Sequence, residues 1–163
     1  ARPDEEEMEE VWLALTEYWT TIVEKIDAFS IANGEDGRPQ DLRTPGEPYS
    51  LLMKPVAQQA LIDGLINATK NDRLTLENAI KRVNKIDWDY NSDIWKKVLV
   101  KGDGKIEAGK SGRKRAAALI TYLIAGDKLD ADELDKYLSE YQLGFTKKVS
   151  EDRSKWKQFP VRP

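Results

Sequence analysis

The sequence predicts a mainly α, bundle-like single domain of about five helices with one small β-hairpin, residues 1–144, followed by a basic strap or tail at 145–163. Three observations predict it. Apolar residues recur at steps of three and four over most of the chain, the period of a helix with one buried face. Capping and stop residues bracket those stretches. The hairpin signal is confined to Val98-Leu99-Val100 and Lys105-Ile106-Glu107-Ala108, which flank a Gly102-Asp103-Gly104 turn. With 163 residues, one domain is the default, and a chain of that size buries roughly 70% of its unfolded surface.

Met8, Val11, Trp12, Leu15, Trp19, Ile22, Val23, Ile26 and Phe29 form one continuous apolar stripe. The acidic run from Asp4 to Glu10 is read as the start of that helix rather than an interaction tail, with Asp4 as N-cap and Glu7 in the capping-box position. From Ser30 to Pro48 turn residues take over (Asn33-Gly34, Asp36-Gly37, Pro39, Pro45-Gly46, Pro48), and a long aperiodic connection is expected. Pro55 suits a first helical position, and Val56, Ala57, Ala60, Leu61, Leu65 and Ile66 continue a helix to about Lys70, in which Gly64 points to close packing. Asn71-Asp72 reads as a turn, and Thr75 caps a helix carrying Leu76, Ala79, Ile80 and Val83. Ser92 or Asp93 starts a short helix with Ile94 and Trp95. Ser111 is expected to cap a central, largely apolar helix from Gly112 to Ala125 that Gly126 stops. Asp130 and Glu133 form a capping box, Leu129 and Leu134 a hydrophobic staple, and Gly144 ends the last helix. Beyond it, six basic residues outnumber Glu151 and Asp152, and Trp156, Phe159 and Val161 make a packed strap or, alternatively, a flexible arm.

Composition narrows the chemistry. Charged residues make up 34% of the chain, but the net charge is −3, so any case for a polyanionic partner is local. The chain has no Cys and no His, which removes disulfides, thiolate nucleophiles, Cys-based zinc sites and every Ser-His or Cys-His arrangement. No apolar run approaches the roughly 18 residues of a membrane span, and the acidic start is unlike a signal peptide. A cytoplasmic location without membrane contact is expected. The opening Ala1-Arg2-Pro3 suggests a piece of a longer protein.

Two motifs carry chemistry. Gly104-Lys105-Ile106-Glu107-Ala108-Gly109-Lys110-Ser111 satisfies the phosphate-loop pattern, in which Lys110 and Ser111 would hold phosphate and magnesium. That fold needs a parallel sheet, and too few strands are available, so the match is read as fortuitous and no cofactor is expected. The second motif is a basic cluster, Lys110, Arg113, Lys114 and Arg115, at a predicted helix N-terminus. Cations there oppose the helix dipole, which points to an anionic partner, whereas a solvated face is the plainer reading. Trp88, Tyr90 and Trp95 are candidates for base stacking or, more simply, core. Asp87, Asp89 and Asn91 resemble the opening of a calcium loop, but Ser92 and Val98 stand where it needs Gly and Glu, and no metal site is expected.

Residues 49–126 also resemble a family. Tyr49-Ser50-Leu51-Leu52-Met53-Lys54-Pro55-Val56-Ala57-Gln58-Gln59-Ala60-Leu61, a Trp88 segment, Ile94-Trp95-Lys96-Lys97-Val98-Leu99, Gly104-Lys105-Ile106 and the Ala116–Leu123 helix resemble the C-terminal region of DGQHR-domain proteins. These include the DndB-like proteins associated with DNA sulfur modification. The resemblance implies a helical part of a bacterial protein linked to DNA modification or defence. The Asp-Gly-Gln-His-Arg signature is absent, so no family site residue is carried over. The resulting expectation is a non-enzymatic module contacting DNA, a partner protein or a missing N-terminal domain, with Lys110, Arg113, Lys114 and Arg115 on the nucleic acid. Nucleotide binding through Gly104–Ser111 and a purely structural or oligomerisation role are the alternatives.

Overall fold

A computed structural model describes residues 4–34, 39–43 and 50–163, apart from the side chain of Asp41. In chain order the helices are α1 (Glu5–Lys25), α2 (Asp27–Asn33), α3 (Pro39–Arg43), α4 (Pro55–Thr69), α5 (Leu76–Val83), α6 (Lys110–Ala125) and α7 (Ala131–Gln142). The turn residues expected at Asp36-Gly37, Pro45-Gly46 and Pro48 lie outside the described residues.

The core is built around α4 against α6, with α7 on the other flank of α6. Ala116, Leu119, Ile120, Ile124 and Ala125 of α6 and Ala57, Ala60, Leu61, Leu65 and Ala68 of α4 are fully buried. Small residues allow the close crossing. A Cβ on Gly64 would stand 2.5 Å from Ile120 Cγ2, so the absence of a side chain lets the backbones approach. Thr121, buried in α6, accepts a hydrogen bond from Asn67 Nδ2 of α4 at 3.2 Å and donates to Ala117 O at 2.7 Å.

Local capping follows the sequence. Asp4 and Asp130 each close a capping box with the Glu three residues on, and Thr75 Oγ1 accepts from Asn78 N. Pro55 opens α4, and Asn71 and Asp72 turn the chain at positive φ. Ser111 does not cap α6. The helix starts two residues earlier than expected, at Lys110, with Gly109 in the N-cap position and no side-chain capping bond.

Three further expectations are corrected. The stripe from Met8 to Phe29 does not lie on one helix. The backbone is extended at Ile26, and Asn84 fills the gap by accepting from Asp27 N at 3.1 Å and donating to Lys25 O at 2.8 Å. That clamp permits a break without Pro or Gly. The connection expected from Ser30 begins only after α2, and within it Pro39–Arg43 forms α3, whose Leu42 is buried and whose carbonyl accepts from Ser50 N at 3.0 Å. Among the described residues no strand forms, and the expected hairpin is reduced to isolated bridges, Lys96 with Val100 and Val100 with Ile106. Val98, Leu99 and Val100 instead turn back so that their N–H groups converge on the carbonyl of Trp95, at 3.1, 3.0 and 3.0 Å. Only two backbone bonds cross to residues 105–108, Lys101 N to Lys105 O at 2.8 Å and Glu107 N to Leu99 O at 2.7 Å, too few for a ladder.

Residues 145–163 run along the helices. Phe159 stacks on Tyr122 of α6 with ring centroids 4.2 Å apart and tilts against Tyr141 of α7 at 4.8 Å. Gln142 exchanges two hydrogen bonds with the Lys157 backbone, both at 2.7 Å. Asp127, at the end of α6, receives Arg82 of α5 at 2.5 Å and Arg162 at 2.6 Å. The two guanidiniums, Arg82 foremost, hold the Asp127 carboxyl far below the usual carboxylate range.

Candidate functional site

Among the described residues, two surfaces stand out as unused by the fold. The larger is the first part of α1. Every residue from Asp4 to Glu17 is exposed, a length of about 20 Å of helix. Met8 is 53% exposed, Val11 59%, Trp12 69%, Leu15 49% and Trp19 48%. The helix is fastened at its other end. Ile22 and Ile26 are buried, Tyr18 packs against the core, and Lys25 pairs with Glu77 at 2.5 Å. One apolar stripe thus begins in the core and continues outside it. Glu10, Glu17 and Glu24, seven residues apart, lie on the opposite face. A helix whose first thirteen residues are all exposed, as here among the described residues, is marginal in water on its own. Here the capping box and the acidic first turn of Glu5, Glu6 and Glu7 against the helix dipole supply local support.

The second surface is the N-terminal end of α6, where the sequence placed Lys110, Arg113, Lys114 and Arg115. They are not placed as one group. Arg113 is taken by a bidentate pair with Asp63 of α4, Nε to Oδ2 at 2.6 Å and Nη2 to Oδ1 at 2.8 Å, which raises its pKa through the hydrogen bond and the charge. It holds α6 to α4 and has little left for a ligand. Lys110, Lys114 and Arg115 do share a cleft with Ser111, Thr146 and Lys147, closed on one side by Glu140 and Leu143. None of those four cations forms an ion pair among the described residues, and Arg115 Nε is buried without a hydrogen-bond partner. Lys147, remote in sequence, is the member that the linear cluster could not reveal.

The phosphate-loop residues sit in a different frame from a nucleotide fold. Among the described residues no strand delivers Gly104 to α6, and Gly104 N bonds Lys101 O in a local turn at 2.9 Å. Glu107 folds over the helix start, so that a Cβ on Gly112 would collide with its backbone oxygen and with Cγ at 2.5 Å. Glu107 also pairs with Lys101 at 3.5 Å. A carboxylate thus lies beside the amides that a phosphate would need.

Of the aromatic candidates, Trp95 lies in the core and Trp88 and Tyr90 pack half-buried against it. Trp95 is fully buried and stacks on Trp88 at 4.9 Å, with indole N–H groups donating to Asp87 O at 2.7 Å and Val83 O at 3.0 Å. The Asp87 and Asp89 carboxylates accept from backbone N–H two residues on, which organises the turn. Among the described residues there is no group of three acidic side chains arranged for a metal, and no helix is long and apolar enough to cross a membrane. Comparison of the chain with protein-family models, curated proteins and solved structures found no match.

Proposed function

We propose that this chain is a non-enzymatic helical contact module whose principal binding element is the projecting half of α1. The observation that carries the reading is Trp12, 69% exposed on a stripe whose far end, Ile22 and Ile26, belongs to the core. Large exposed apolar patches on folded domains mark interaction sites, and Trp is prominent among residues that anchor interfaces. The resemblance of residues 49–126 to DGQHR-domain proteins adds a setting, bacterial DNA modification or defence, in which to seek the partner. The test is site-specific photocrosslinking in cells with benzoylphenylalanine at Val11 or at Glu17. Adducts are expected from position 11 and not from position 17; equal yields would discard the reading.

A second reading is favoured by the cleft at the start of α6. Lys110, Lys114, Arg115 and Lys147 converge without acidic partners, apart from Glu140 at the rim, and suit the phosphates of DNA. Arg113 drops out of the earlier set because Asp63 holds it. Salt-sensitive binding of a labelled duplex, lost in Lys110→Ala/Lys114→Ala/Lys147→Ala, would support this role. Equal binding by that variant would remove it.

A further inference from the structure

We infer that the cationic cleft at the start of α6 and an apolar cleft beside it form one bipartite site for a 5′-phosphorylated nucleotide whose base is unpaired. The inference rests on the second reading above, the cleft as a phosphate site, and specifies which phosphate it takes. Two features point to this ligand.

The first is continuity. The cationic cleft, of about 510 Å³, and the second, of about 350 Å³, share Lys114 of α6 and Glu140 of α7 in their linings. Lys110, Lys114 and Ala117 follow one another at steps of four and three, so one face of α6 runs through both clefts. About two turns of helix, roughly 10 Å, separate its ends, the reach of a nucleotide from phosphate to base. Past Lys114 the character changes. Ala117 and Ala118 are small enough to leave room for a planar ring, and Ile66 of α4 and Tyr137 of α7 complete the apolar lining. Asn67 and Lys136 add polar atoms there. An apolar recess with a few convergent polar groups is the usual make-up of a small-molecule site.

The second is charge. Lys110, Lys114, Arg115 and Lys147 line the cationic cleft against one carboxylate, Glu140. A terminal phosphate monoester carries about 1.5 to 2 negative charges at pH 7, whereas each internal phosphodiester of a strand carries one. Cations without ion-pair partners therefore favour the end group. Side chains hold it, because Glu107 packs against the helix start at Gly112. A duplex suits the two clefts poorly. Its bases are paired and cannot enter the apolar one, and its continuous backbone would carry a phosphate past Glu140. An unpaired terminal nucleotide meets neither obstacle, and Glu140, common to both clefts, is an acceptor for a sugar hydroxyl.

The experiment uses the full chain and a 3′-fluorescein single-stranded DNA decamer, with and without a 5′-phosphate, beside the blunt duplex. Fluorescence anisotropy is the readout, and unlabelled AMP is the competitor. The phosphorylated strand is expected to bind at least about tenfold more tightly than the other two. Lys147→Glu in the cationic cleft and Ile66→Glu in the apolar one, both at exposed positions, should each weaken it about tenfold while leaving the thermal transition in place. Displacement by AMP supports the inference with a free nucleotide as ligand; binding that AMP does not displace supports it with a strand terminus. Binding indifferent to the 5′-phosphate but lost in Lys147→Glu overturns the inference and leaves the cleft as a general DNA contact. A phosphate preference that Ile66→Glu spares overturns the bipartite site. No binding of any DNA, with no shift of the thermal transition by millimolar AMP, overturns both the inference and the phosphate reading beneath it.

Discussion

Helices α6 and α1 carry apolar side chains at the same helical spacing, yet Leu119, Ile120 and Ile124 are fully buried while Trp12 and Trp19 stay 69% and 48% exposed. The difference lies in neighbours. α6 meets α4 across the Gly64 crossing and α7 on its other flank, and Phe159 covers Tyr122. Among the described residues, α1 meets the domain near its C-terminal end, through Tyr18, Ile22 and the Asn84 clamp at Lys25. Amphipathic spacing shows that a face gains by being covered. It does not show whether the cover comes from the same chain.

Truncation should separate the two helices most sharply. Leu119→Ala removes a fully buried side chain from α6 and is expected to cost about 2–5 kcal/mol in urea unfolding. Leu15→Ala on α1, half-exposed, should shift stability by no more than about 0.5 kcal/mol. A large loss at Leu15 would mean that α1 packs on its own domain in solution, and the comparison would fail.

The crossing that buries α6 offers a narrower test. Gly64→Ala forces a Cβ toward Ile120 and should destabilise by about 1–3 kcal/mol, although Ala is the better helix former. If the variant is as stable as the parent, the α4–α6 approach is looser than described.

The smallest effect concerns the fastening at the C-terminal end of α6. Asp127 has its folded pKa depressed by Arg82 and Arg162, below the unfolded value of about 3.9. A lowered folded pKa contributes stability above the unfolded pKa and loses it as pH falls through the folded one, so the contribution should fade below about pH 4. Asp127→Asn should lower the melting temperature at neutral pH and flatten its acid dependence in that window. A variant whose profile from pH 5 to 2 matches the parent's would remove Asp127 from the fastening. Among the described residues, α1 has no comparable tie at its outer end.

Much of the fold was legible because it is governed by neighbours in sequence. Asp4 with Glu7, Thr75 with Asn78 and Asp130 with Glu133 act over three residues, and Pro55 sets its own φ. The crowding at Gly64 was foreshadowed by a helix-weakening residue inside an apolar face. The misreadings have the opposite character. Asn84 breaks the first helix from about sixty residues away, and Leu42 gives a five-residue helix its burial; the hairpin is the exception, lost to a local turn in which three N–H groups meet the Trp95 carbonyl. At the candidate site, Lys110, Lys114 and Arg115 were visible as a run, but the removal of Arg113 and the addition of Lys147 were not.

The sequence by itself determined that the chain is mainly helical, where most helices are capped, and which faces are apolar, because these follow from the 3.6-residue period and from hydrogen bonds spanning a single turn. Tertiary structure alone decided which apolar face stays uncovered and which cations stay unpaired. Those outcomes depend on which of many chemically suitable partners, tens of residues apart, the packing brings within contact distance: Asp63 reaches Arg113, and no described helix reaches Trp12.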